Sequence, residues 1–170
     1  MFRTTKLFAS VALIAIALGA RADDKPAADQ PFDDATFVKK AAIGGMYEVQ
    51  VGKAVAPQAK NDDVKKFAEK MVKDHTTANE ELKAAALSAG IPVPTKLDDK
   101  HQQKFESFKS YKGTNLDQDY VKDMVKDHEE DVALFTRASK EAKDAAIKNF
   151  ATKTLPTLQK HLEMVKKLDK

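Results

Sequence analysis

Four long stretches of this chain carry apolar or small residues at spacings of three and four, the period of an α-helix with one buried face. In each stretch one mid-length position of that face is a histidine or a glutamate. Such stripes are buried by packing helix on helix. The first, over about 34–59, runs Val38, Ala41, Gly45, Glu48, Gly52 and Val55; its small residues let a partner come close, and Pro57 bends or ends its last turn. The second runs from an Asn61 cap to Ser88 or Ala89 through Val64, Ala68, Met71, His75 and Leu82. Gly90 is placed to terminate it, and Pro92 and Pro94 prevent its continuation. The third, over about 115–140, carries Val121, Val125, His128, Val132 and Phe135. The fourth, over about 144–168, carries Ile147, Ala151, Thr154, Leu158, His161 and Val165, with a kink expected at Pro156.

Alternating apolar and polar runs bounded by turn residues are missing, so strands are not expected. About 25 residues separate the second and third helices, enough to travel the length of a bundle. Within them Phe105 and Phe108 share one side of a short helix over about 100–109. The expected fold is all-α: a four-helix bundle whose long crossover contains a short helix, the arrangement associated with ferritin-like folds.

Residues 1–22 read as a secretory signal peptide. Arg3 and Lys6 give a basic start, Leu7 to Gly19 an apolar run too short to cross a bilayer, and Ala20-Arg21-Ala22 a small-x-small cleavage pattern. Residues 23–33, rich in Ala, Asp and Pro, read as a flexible leader, and 34–170 as the bundle domain. Export places the protein in the periplasm or outside the cell, with no transmembrane segment in the mature chain. Of 29 basic residues, Arg3, Lys6 and Arg21 leave with the signal, so basic and acidic residues balance in what remains. The lysines are interleaved with acids, which argues against nucleic-acid binding. The chain has no cysteine, which excludes disulfides and thiolate chemistry.

The pentapeptide Met-Val-Lys-Asp-His occurs at 71–75 and again at 124–128, and both histidines fall where a leucine would normally sit. Glu48, His75, His128 and His161 all lie near mid-height of their helices, so they can form one cluster. A single histidine on an apolar stripe reads as a hydrogen-bonded core residue. Four separate buried polar groups, however, need four sets of partners, each failure costing roughly 1–3 kcal/mol. Convergence on one ion or one proton-sharing network satisfies them together. Imidazoles with a carboxylate suit a divalent transition metal, here zinc, copper or iron. Asp74 and Asp127 point about 100° away from their neighbouring histidines, a direction suited to an adjacent helix or to supporting a ligand. Asp131, one turn beyond His128, is placed to orient that ring's other nitrogen. His101 is expected to be exposed on the crossover. Tyr47 and Tyr120 can reach a polar cavity but read first as packing, as do the phenylalanines and methionines. No phosphate loop, nucleophile elbow or His-Glu-x-x-His helix is present.

From Phe37 to Leu168 the chain resembles a bacterial family of exported proteins built on domain of unknown function number 4142, often labelled outer membrane proteins. The resemblance rests on Gly44-Gly45-Met46-Tyr47-Glu48, on 71–75, on Asp127-His128 and on Thr154-Leu155-Pro156-Thr157-Leu158-Gln159-Lys160-His161. It implies a ferritin-like bundle and an envelope location, with peripheral outer-membrane association, and no defined activity. Di-iron members of the wider class use Glu-x-x-His on two helices. Here Val72, Val125 and Leu158 stand three before the histidines, which favours a His-rich mononuclear site or a structural polar network over oxidase chemistry. Two functions are therefore carried forward: a metal-binding bundle, and a non-enzymatic module for cell-envelope interaction, with an envelope protein as partner, or for a stress-associated structural role.

Overall fold

The structure, a computed structural model, describes residues 31–111 and 113–169. The signal peptide expected at 1–22 and most of the leader expected at 23–33 lie outside the described residues. Helices α1 (Asp34–Val55), α2 (Asp62–Ser88), α3 (Asp99–Lys109), α4 (Leu116–Glu141) and α5 (Ala145–Leu168) follow in order. Among the described residues there is no strand.

The helix limits follow from local chemistry. Asp33, Asn61, Asp98 and Asp144 each turn a side-chain oxygen onto an amide of the following first turn, which otherwise has no partner. At the end of α2 the Gly90 amide donates to the Leu87 carbonyl and the Ile91 amide to the Ala86 carbonyl. This double closure requires the positive φ of 67° that Gly90 adopts. Phe32, just before the Asp33 cap, is buried against Phe37. The α5 helix continues through Pro156.

In the bundle α1 packs on α2, α2 on α5, α5 on α4 and α4 on α1, closing a ring, while α3 lies on α1. Two carboxylates fix the helix directions. Asp117, in the first turn of α4, accepts from the Lys60 and Asn61 amides ahead of α2 at 3.1 and 2.7 Å, so α2 and α4 begin at one end. Asp34, at the start of α1, accepts from the Lys143 and Asp144 amides ahead of α5 at 3.1 and 2.7 Å, so α1 and α5 begin at the other. Helices α2 and α4 are thus parallel and diagonal, which the chain achieves only with the long connection through α3. This is a ferritin-like four-helix bundle with a helical crossover.

Two apolar clusters fill the ring. One gathers Phe37, Leu82, Phe135, Ile147, Phe150 and Leu158; the other gathers Val51, Phe67, Met71, Tyr120, Met124 and Val165. The small residues of α1 set its distance from α2. A Cβ on Gly52 would stand 2.9 Å from a Val72 methyl and 3.0 Å from the Ala68 carbonyl oxygen, which is backbone and cannot swing away. Replacing a mid-helix glycine by alanine gains about 0.8–1.0 kcal/mol of helix propensity, while overpacking a tight contact costs about 1–3 kcal/mol. Gly52→Ala is therefore expected to lower stability by about 1 kcal/mol, with the clash outweighing the propensity. A urea midpoint above that of the unaltered protein would contradict this close packing.

Candidate metal centre

Between the two apolar clusters lies a polar layer with one side chain from each long helix. Glu48 of α1, His75 of α2, His128 of α4 and His161 of α5 are 0, 4, 0 and 1% exposed. Each histidine stands between apolar residues of its own stripe: His75 between Met71 and Leu82, His128 between Met124 and Phe135, His161 between Leu158 and Val165. That position carries them into the interior as if they were leucines.

One ligand nitrogen from each of His75, His128 and His161 lies within 4.8 Å of the other two. The ring centroids are 5.4 to 5.7 Å apart. Glu48 Oε2 approaches His75 Nδ1 to 2.7 Å and Oε1 approaches His128 Nε2 to 3.3 Å. Neither approach has hydrogen-bond alignment, and both Glu48 oxygens lack a hydrogen-bond partner.

The outer nitrogens of two of the rings are tied. His161 Nε2 donates to Asp74 Oδ2 at 2.8 Å, and that carboxylate also accepts from Lys70 Nζ at 2.7 Å. His128 Nδ1 donates to the Met124 carbonyl at 3.0 Å. The expectation that Asp131 orients this ring is thereby corrected. Helical side chains lean toward the N-terminus, so the carbonyl one turn earlier meets the ring rather than the carboxylate one turn later. With these protons placed, His161 Nδ1 and His128 Nε2 carry free lone pairs; both are buried without a hydrogen-bond partner, as is His75 Nε2.

Burial governs the protonation of the layer. It lowers all three imidazoles from the ordinary 6.5: His75 downward, His128 to about 3 and His161 to about 4, the last partly held up by Asp74. Burial pushes the Glu48 carboxyl well above its ordinary range, the neighbouring Asp127 offsetting part of the effect. It raises Asp127 to about 8, with Glu48 adding to the rise, and lifts Asp131 far above its usual value. Asp74 stays low, because its hydrogen bonds from Lys70 and His161 outweigh its burial.

These opposed shifts set the pH response of the metal-free protein. Between about pH 4 and 6.5 the unfolded chain protonates histidines that the folded chain keeps neutral, so their contribution to stability is lost as pH falls. The raised carboxyls act oppositely: the folded chain holds protons that the unfolded chain releases above about pH 4, and their contribution is lost as pH rises toward about 8. Above about pH 7.5 the unfolded histidines are neutral as well and only the carboxyls still contribute. Urea unfolding in chelator is therefore expected to show stability declining from about pH 7.5 to about pH 8.5; a rise across that window would contradict the assignment.

The residues present fit a divalent metal. The cluster offers three neutral imidazoles, a buried carboxyl beside Asp127 that a bound cation would deprotonate, and tied outer nitrogens on two rings, which is how proteins orient metal-binding histidines. Tetrahedral coordination at 2.0–2.1 Å needs nitrogens about 3.4 Å apart, a contraction from the observed spread that side-chain rotation can supply.

The profile of DUF4142, a domain of unknown function, matches residues 19–168. The chain belongs to the DUF4142 family. Among solved structures, a crystal structure of a DUF305 fragment from Deinococcus radiodurans superposes with a TM-score of 0.66 at 10% identity. The likeness covers 82% of this chain and 97% of that one, and shows a shared fold. No curated protein matches the chain significantly. Among the described residues no helix of this DUF4142 chain is long and apolar enough to cross a membrane.

A second polar group, not foreseen from the sequence, fastens the crossover beside the layer. The Tyr47 hydroxyl donates to Asp123 Oδ2 at 2.5 Å, Lys104 Nζ stands 2.5 Å from the other Asp123 oxygen, and the ammonium also lies 4.8 Å above the Tyr47 ring. His101 is not exposed as expected. Its side chain is 19% exposed, hydrogen-bonded to Asp98 at 2.6 Å and set edge-on against Tyr47. The pattern Asp98-x-x-His101, an N-cap with a ring one turn on, was the available signal for that contact. Tyr120, by contrast, buries its hydroxyl without a hydrogen-bond partner.

Proposed function

We propose that the protein is exported to the periplasm or beyond and binds a divalent transition metal, with Glu48, His75, His128 and His161 as ligands. The observation that supports this most strongly is the convergence of three neutral buried histidines from three helices, two of them already oriented by a second hydrogen bond. A purely structural layer would be expected to satisfy its own polar atoms. Here His75 Nε2, His128 Nε2 and His161 Nδ1 all lack hydrogen-bond partners, and a cation held where the three rings converge supplies what the layer does not supply for itself. Zinc, copper and iron all accept imidazole with carboxylate. The pattern of residues 1–22 supports export.

Metal analysis of protein purified without an affinity tag, followed by titration with zinc, copper and iron, tests the proposal; about one equivalent bound at the cluster is expected. Absence of stoichiometric binding of any of the three would overturn it. Asp74 serves as the group that holds His161 in place. Asp74→Asn is expected to weaken affinity about 10- to 100-fold without unfolding the bundle. Unchanged affinity in that variant would remove Asp74 from the centre.

A further inference from the structure

The repeated pentapeptide opens on methionine as well as closing on histidine. Met71 and Met124 each stand one turn before a histidine of the layer, His75 and His128, and both are fully buried. Helices α2 and α4 begin at the same end of the bundle, so the two methionines lie on the same side of the histidine layer, within one apolar cluster. Met46 is only half-buried and Met164 is exposed. With no cysteine in the chain, methionine is its only source of sulfur.

Ring contacts place the two residues. The His128 imidazole packs on two rings of α2, with centroids 6.3 Å from Phe67 and 5.7 Å from His75. Phe67 and His75 are two turns apart on one face, and Met71 is the turn between them, so its position faces the His128 ring. The reciprocal holds on α4. Phe67 packs on Tyr120 at 6.2 Å as well as on His128, and Met124 is the turn between those two. The two methionines therefore face each other across the bundle, one turn from the histidines on the side where α2 and α4 begin. His128 leans toward them, because its Nδ1 is held by the Met124 carbonyl, and its Nε2 is left without a hydrogen-bond partner.

We propose that the centre also takes copper(I), with the thioether sulfurs of Met71 and Met124 joining the imidazoles of His75, His128 and His161 as donors. This rests on the metal-binding reading of the histidine layer and names one ion and two further ligands. Soft thioether sulfur favours copper(I), whereas imidazole accepts copper and zinc alike. For a divalent ion the additional donor is Glu48; for copper(I) it is sulfur. All five donors are uncharged, since burial keeps the histidines neutral, and a monovalent ion costs less to hold in an apolar interior than a divalent one. An unbranched methionine with three rotatable bonds can bring its sulfur to the ion without moving a helix.

Anaerobic titration of the full, untagged protein with copper(I), in competition with a chromophoric copper(I) chelator, tests the proposal together with X-ray absorption at the copper edge. The unaltered protein is expected to bind a single copper(I) with both sulfur and nitrogen in its ligand shell, a result that needs no variant. Met71→Leu combined with Met124→Leu conserves core volume. It is expected to weaken copper(I) binding more than about 100-fold with zinc affinity unchanged, since loss of a group that only orients a ligand already costs about 10- to 100-fold. Met164→Leu, at the surface, is expected to change neither. A copper shell of nitrogen alone would overturn the methionine ligands and leave the histidine centre standing. So would a double variant that holds copper(I) as tightly as the unaltered protein, or one that loses zinc equally. Failure of the unaltered protein to bind either zinc or copper(I) would overturn the methionine ligands and the metal reading together.

Discussion

Replacing His75 and His128 together by alanine is expected to abolish binding of zinc, copper and iron at the centre. The two rings come from diagonal helices and supply two of the three nitrogens that converge there. What remains is His161 with Glu48, and two groups do not hold a divalent ion against water when three or four are needed. Loss of a group that merely orients a ligand costs about 10- to 100-fold in affinity, so removal of two ligands is expected to exceed the upper end of that range. Isothermal titration of both proteins gives the comparison. His101→Ala is the internal control, because His101 pairs with Asp98 outside the layer and is expected to leave affinity unchanged. A double variant that binds as tightly as the unaltered protein would remove the histidines from the function.

The second large effect is expected at Glu48, and it runs against intuition. Glu48 is fully buried, with only Asp127 and two poorly aligned imidazole nitrogens beside its carboxyl, a burden on the fold rather than a support. A buried carboxyl so poorly compensated opposes folding, and an apolar residue of similar size removes that cost while the neutral imidazoles beside it leave no charge stranded. Glu48→Leu is therefore expected to unfold at equal or higher urea concentration than the unaltered protein in chelator. It is also expected to lose the extra stability that saturating zinc confers on a protein that binds the ion only when folded. If the layer existed to fix helix register, the same substitution would instead loosen the metal-free bundle and leave any zinc effect in place. Unfolding curves with chelator and with zinc, side by side, separate the two.

Much of this was legible in the chain because helices announce themselves locally. The Asn61 cap and Gly90 with the prolines behind it each mark a boundary by chemistry within four residues, and the structure places the ends of α2 there. The length between α2 and α4 carried the topology, since a short loop cannot return a parallel helix to the diagonal position. The cluster itself was legible because apolar periodicity reports which face of a helix is buried, whatever residue stands on it. What lay beyond reach was set by partners remote in sequence. Asp123 is held by Tyr47, 76 positions away, and by Lys104 across the crossover. His128 chose the Met124 carbonyl over Asp131 by side-chain tilt, a detail that spacing alone does not resolve.

The most direct measurement is a high-resolution crystal structure of the protein soaked in zinc, with anomalous scattering recorded at the zinc edge. A single strong anomalous peak is expected in the polar layer, with nitrogen or oxygen atoms from at least three of Glu48, His75, His128 and His161 at about 2.0–2.2 Å. His161 should retain its hydrogen bond to Asp74 and His128 its bond to the Met124 carbonyl. An anomalous map empty at the layer, with the imidazoles of His75 and His128 turned apart and the intervening space filled by apolar side chains, would contradict a shared metal centre.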